Sequence, residues 1–98
     1  MILLFDIGNT NTHVGLANSR RVLRQTNIPT AAWFSGKAKV QLVRFVHKAR
    51  VDGVALCSVV PRATPLVCQA VRRLWHLPCF ELTPRTLRGL GIDYPKPE

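Results

Sequence analysis

Asp6 is the residue whose position asks for chemistry. It ends the apolar run Met1-Ile2-Leu3-Leu4-Phe5 and is followed by Ile7-Gly8-Asn9-Thr10-Asn11-Thr12-His13. A carboxylate at the end of an apolar strand is costly to bury unless it is paired or holds a cation. The carboxyl end of a strand is also where open α/β sheets place their ligands. Gly8 permits a tight turn and close backbone approach. The Asn and Thr side chains, with their backbone N–H groups, are neutral donors able to surround phosphate oxygens. No GxxxxGK[ST] is present, so this is not a P-loop. A carboxylate beside phosphates repels them unless a divalent cation or an ordered water stands between. The role read for Asp6 is therefore indirect Mg²⁺ coordination. The same residues also suit a plain hairpin, in which Asn and Asp satisfy turn geometry.

Other constellations are weaker. The acids Asp6, Asp52, Glu81, Asp93 and Glu98 are scattered, so no close carboxylate pair is available for general acid/base work or a two-metal site. Cys57, Cys68 and Cys79 are eleven residues apart, too wide for a CxxC clip. Each lies in an apolar segment and reads as a small buried hydrophobe in a reducing compartment. His13, His47 and His76 have no Cys or acid at ligand spacing. Trp33 and Trp75 read as core anchors.

Fourteen Lys+Arg against five Asp+Glu give a net charge of +9, which favours anionic partners. Arg20, Arg21 and Arg24 cluster, as do Lys37, Arg44 and Lys48, and Arg72 with Arg73. They read as solvated faces. A nucleic-acid footprint is the alternative, but it lacks a helix-turn-helix, zinc-finger or RNA-binding aromatic signature.

The elements that must position Asp6 follow from the pattern. The chain has 98 residues, 47% of them hydrophobic, which fits one globular domain and excludes intrinsic disorder. Met1–Ile7 lacks alternation, as a central strand covered on both faces would. Turn residues Gly8–Asn11 and Asn18–Arg20 separate it from strands over Thr12–Ala17 and Arg21–Ile28. The three make an antiparallel meander. Leu42, Phe45, Val46 and Ala49 then fall at helical spacing from about Ser35. Val54–Val60 reads as a buried strand. Thr64-Pro65 opens a second helix, with Thr64 as N-cap. Cys79–Leu82 is a last short strand, and 84–98 is an irregular segment. The order β-β-β-α-β-α-β predicts a mixed five-stranded sheet with two crossover helices and strand 1 at its centre. No basic stretch precedes the first apolar run and no run approaches a membrane span, so a cytoplasmic protein without a membrane partner is expected.

Asp6-Ile7-Gly8-Asn9-Thr10-Asn11-Thr12 resembles the first phosphate loop of the type III pantothenate kinases, members of the acetate kinase, sugar kinase, Hsp70 and actin superfamily. Ser58-Val59-Val60-Pro61, then Thr64-Pro65, is similar to that family's Ser-Val-Val-Pro segment leading into a helix. Gly91-Ile92-Asp93-Tyr94, with Pro97, is similar to its Tyr-x-x-Pro segment. The resemblance implies a ribonuclease-H-like (actin-like ATPase) domain over 1–83. It implies that Asp6, Ile7, Gly8, Asn9, Thr10, Asn11, Thr12 and His13 form the ATP phosphate-binding segment. Asp6 would act through Mg²⁺, Asn9 and Thr10 as donors, and Tyr94 would line the pantothenate site.

The implied activity is phosphorylation of pantothenate by ATP, the first step toward coenzyme A. The family also uses a monovalent cation, K⁺ or NH₄⁺, and forms a homodimer when full length. Its Gly-Ala-Asp-Arg segment, which holds the base, would begin just after Glu98. The 98 residues are therefore expected to be an N-terminal portion, inactive alone. A non-catalytic regulatory, anion-binding or nucleic-acid-binding module is the alternative.

Overall fold

The apolar run at the amino terminus forms the middle of a five-stranded sheet in the computed structural model, which describes residues 1–83. The elements are β1 (Ile2–Ile7), β2 (Asn11–Ala17), β3 (Val22–Pro29), α1 (Ala31–Ser35), α2 (Ala38–Val46), β4 (Gly53–Ser58), α3 (Thr64–Trp75) and β5 (Cys79–Glu81). The sheet order is β3-β2-β1-β4-β5. The meander β1-β2-β3 is antiparallel, while β4 pairs parallel with both β1 and β5. The expected mixed sheet with strand 1 at its centre is what forms.

Turn chemistry sets the meander. The Asn18 side chain accepts from the N–H groups of Arg20 and Arg21 at 2.8 and 2.9 Å, an Asx turn closing β2 onto β3. Arg24 then ties β3 to the end of α2. Its guanidinium lies 5.6 Å from the Phe45 ring centroid and donates to the Val46 carbonyl at 3.2 Å.

The core lies on one face of the sheet. Leu3, Phe5 and Ile7 of β1 join Val14, Leu16, Ile28, Val54 and Leu56 from neighbouring strands. Trp33 of α1, Leu42 and Val46 of α2, and Val67 and Val71 of α3 close over them. The helices therefore form a single layer. On the opposite face Leu4 and Ala55 are half-buried, Ile2 is 39% exposed and Phe80 65%. The expectation of β1 covered on both faces is corrected among the described residues. The missing alternation in Met1–Ile7 reflects apolar residues on both sides of the pleat, of which the helices cover one.

Two other expectations change. The first crossover holds two helices where one was expected. Gly36, at φ 81°, ends α1, and its N–H donates to the Ala32 carbonyl. The second correction concerns Thr64, expected as the N-cap of the second crossover helix. Ala63 occupies that position, and Thr64 lies inside α3 with its hydroxyl donating to the Val60 carbonyl at 3.3 Å. The Ala63 and Thr64 N–H groups reach the same carbonyl at 3.0 and 3.3 Å, so the turn after β4 starts the helix one residue early.

Candidate functional site

The site is built from the turn between β1 and β2. Pairing runs from Ile2↔Ala17 to Ile7↔Thr12, which leaves Gly8, Asn9 and Thr10 to make the reversal. The Gly8 N–H donates to the Asn11 carbonyl at 3.0 Å. Thr30, where β3 passes into α1, donates its N–H to the Thr10 carbonyl at 2.9 Å and its hydroxyl to the Gly8 carbonyl at 2.7 Å. Three loop carbonyls are thereby taken up by the protein itself. Asn9 and Thr10 are exposed, and among the described residues their N–H groups have no protein partner. Carbonyl dipoles repel anions and N–H dipoles attract them, so occupied carbonyls with available amides suit an anion.

Gly8 is required by room rather than by handedness, since Gly36 is the only described glycine at positive φ. A Cβ on Gly8 would stand 3.1 Å from the Asn11 carbonyl oxygen, tighter than ordinary contact. The close approach expected of this glycine is therefore met by the Asn11 backbone.

The pleat divides the loop residues between two faces. Asp6 pairs with His13 on β2 and Cys57 on β4, so these three share the face opposite the helices. Asp6 is half-buried and His13 exposed. Ile7 and Thr12 turn the other way. Ile7 is a fully buried core residue, and its carbonyl accepts the Val59 N–H at 3.0 Å. Thr12 is also fully buried. Its hydroxyl accepts the Trp33 indole N–H at 3.0 Å and lies 3.0 Å from the Thr30 hydroxyl. The Thr12 hydroxyl is thus committed to core partners.

Thr30 and Trp33 contact the loop from outside its sequence, and the sequence analysis missed both in that role. Trp33 is a core anchor as expected, 6% exposed and edge-on to Phe5 at 6.0 Å between centroids, but its indole N–H works as well. The signal for Thr30 was weak: a hydroxyl residue after Pro29 at the start of a helix.

Ser58-Val59-Val60-Pro61 is occupied with local structure. The Ser58 hydroxyl donates to the Val60 carbonyl at 3.1 Å and accepts its N–H at 3.0 Å. Beyond it, the Arg62 guanidinium stacks on Phe34 at 5.5 Å from the ring centroid, joining the start of α3 to α1. Burial pushes the Cys79 thiol up to about 12, and the neighbouring Cys68 adds to the effect, so Cys79 stays protonated and inert at neutral pH.

No group of three or more His, Cys, Asp or Glu able to hold a metal occurs among the described residues. That excludes a zinc-type cage among them. It leaves the donor set that Mg²⁺ accepts, one or two carboxylates with waters and substrate phosphates, and Asp6 beside the loop fits it. Tyr94, and the Gly91–Pro97 segment that carries it, lie outside the described residues, as does the whole 84–98 segment.

Residues 2–98 match the family model of type III pantothenate kinase. The chain belongs to the type III pantothenate kinase family. It is 33% identical over 100 residues to the type III pantothenate kinase of Frankia casuarinae, covering 98% of this chain and 40% of that protein. It is 34% identical over 103 residues to that of Nitratidesulfovibrio vulgaris strain DP4, covering 98% and 36%. With that of Dictyoglomus turgidum it shares 27% over 104 residues, covering 100% and 41%. The chain thus spans about 40% of the length of the curated type III pantothenate kinases it matches. Among solved structures it is similar to the Aquifex aeolicus member of the Ppx/GppA protein family. The TM-score is 0.50 at 11% identity, covering 85% of this chain and 35% of that one, a likeness of fold.

Proposed function

We propose that this chain is the phosphate-loop part of an enzyme that phosphorylates pantothenate with ATP, and that its sheet is a ribonuclease-H-like domain of the actin-like ATPase kind. The observation that carries the reading is the loop after β1. The Gly8, Thr10 and Asn11 carbonyls are occupied from within, the Asn9 and Thr10 N–H groups have no protein partner among the described residues, and the loop stands at the carboxyl end of the central strand. The family membership selects ATP among possible anions and pantothenate as acceptor.

The residues divide the work by face. Asn9 and Thr10 donate to phosphate oxygens, with Gly8 giving the backbone room and Asn11 holding the turn. Asp6 would hold Mg²⁺ from the open face, with His13 beside it. The ion, when bound, would neutralise phosphate charge as it builds, which is most of what phosphoryl transfer asks of an enzyme. Ile7 and Thr12 hold the two strands that carry the loop. Tyr94 lines the pantothenate side, and a monovalent cation and a homodimer belong to the full-length assembly. A soluble cytoplasmic enzyme fits, and no described helix is long and apolar enough to cross a membrane.

Calorimetric titration of the chain with ATP, with and without Mg²⁺, tests the reading. Binding that requires Mg²⁺ and is weakened by Asp6→Asn supports it. A second reading, a regulatory module for nucleic acid, rests on the net charge of +9. Affinity for DNA or RNA that falls steeply with salt, without a response to Mg²⁺ and ATP, would replace the first reading by the second.

A further inference from the structure

The hydrogen bonds behind the loop form a chain with only one possible direction. The Trp33 indole N–H donates and never accepts, so Thr12 Oγ1 is the acceptor at 3.0 Å. The Gly8 carbonyl accepts and never donates, so the Thr30 hydroxyl spends its single proton there, at 2.7 Å. The remaining bond, 3.0 Å between the two threonine hydroxyls, must then run from Thr12 to Thr30. Thr12 and Thr30 are 0% and 2% exposed, and no buried side-chain N or O among the described residues lacks a partner.

The chain ends on one particular peptide unit. The carbonyl of Gly8 and the N–H of Asn9 belong to the same planar amide. Fixing the carbonyl fixes where that N–H points. Polarising the carbonyl also makes the N–H a stronger donor, and linked hydrogen bonds reinforce one another in a buried setting. The Asn9 N–H is one of the two loop amides without a protein partner.

We propose that Trp33, Thr12 and Thr30 are positioning residues that aim and strengthen the Asn9 amide for an anionic phosphate oxygen. This rests on the reading of the loop as a phosphate site. None of the three touches the ligand. They act through the Gly8–Asn9 peptide, and the starting donor comes from a helix, although the loop itself joins two strands.

Two readouts separate the proposal from that reading. The first is the ¹H,¹⁵N resonance of the Asn9 amide in the chain without nucleotide. Thr30→Val removes the donor to Gly8 at nearly constant shape, and Trp33→Phe removes the indole N–H while keeping a ring. Both should move the Asn9 amide upfield, Thr30→Val more. Thr30→Ser should return it to its native position. The second readout is affinity for ATP with Mg²⁺. It should weaken roughly tenfold in Thr30→Val, about what a partly lost charge-assisted hydrogen bond costs, and recover in Thr30→Ser. An Asn9 amide unmoved in a folded Thr30→Val or Trp33→Phe chain would overturn the proposal. So would native ATP affinity in Thr30→Val, or Thr30→Ser no better than Thr30→Val. If Thr30→Val does not fold, Trp33→Phe and Thr30→Ser still decide through the amide resonance. An Asn9 amide that shifts as expected in the variants, with a native chain that binds no ATP, would support the positioning chain and refute the phosphate reading instead.

Discussion

Replacing Gly8 by alanine tests whether room at the loop is what the site needs. The added Cβ would meet the Asn11 carbonyl oxygen at 3.1 Å, and contacts become ordinary only from 3.4 Å. That oxygen cannot retreat freely, because it accepts the Gly8 N–H at 3.0 Å. Giving way by a few tenths of an ångström stretches this bond toward the limit of useful geometry. A weakened hydrogen bond costs at most about 0.5–1.5 kcal/mol. Against it stands a gain of about 0.4–1 kcal/mol, since alanine loses less chain entropy on folding. The two nearly cancel, so stability should change by less than about 1 kcal/mol, a shift in Tm of no more than roughly 4–8 °C for a domain of this size. On the proposed phosphate role, binding has no such offset. The same displacement moves the Asn9 and Thr10 amides, and ATP affinity should fall about tenfold, roughly 1.4 kcal/mol. Thermal denaturation followed by circular dichroism and calorimetric titration with ATP and Mg²⁺ measure the two quantities on one sample. A Gly8→Ala chain that binds ATP as the native chain does would refute the argument from room. A chain that loses binding only because it unfolds would refute it as well.

Two further predictions concern the scaffold. His47 ends α2 at φ 54° and ψ −120°, a conformation that suits glycine. His47→Gly should raise stability by about 1 kcal/mol, the strain relieved less the added chain entropy, read as a higher urea midpoint at unchanged slope; an unmoved midpoint would count against strain there. For Cys79, the folded thiol titrates near 12 against an ordinary 9.0. Its contribution to stability is full below the unfolded value and is lost as pH rises from about 9 toward 12. Cys79→Ala should flatten that alkaline decline, and an identical alkaline limb in the two chains would refute the assignment.

Much of the fold was legible in the sequence because local signals agreed. The apolar run Val54–Val60 marked a buried strand, Thr64-Pro65 marked the helix after it, and helical crossovers forced β4 and β5 to run parallel. The turn after β1 was legible because Gly8, Asn9 and Thr10 are turn formers at the end of an apolar strand. What stayed hidden depended on contacts between distant segments. The five residues of α1 are too few to show a period. The bond between Thr30 and Gly8 spans 22 positions and that between Trp33 and Thr12 spans 21, so no window of sequence contains either. The side of the sheet that Thr12 faces could not be read until the pleat assigned it. Coverage of β1 was misread for the same reason, since apolar residues on both sides of a strand do not say which side helices will occupy.

That the three described helices lie on one side of the sheet has a kinetic consequence for the proposed site. Asp6 and His13 stand on the other side, and no described helix crosses between them and the surroundings. If Asp6 holds a cation as proposed, a cation or a triphosphate arriving there does not have to wait for the described helices to part. On that proposal, loading and unloading at Asp6 would be set by the desolvation of the ion and the carboxylate rather than by a motion of the packed side.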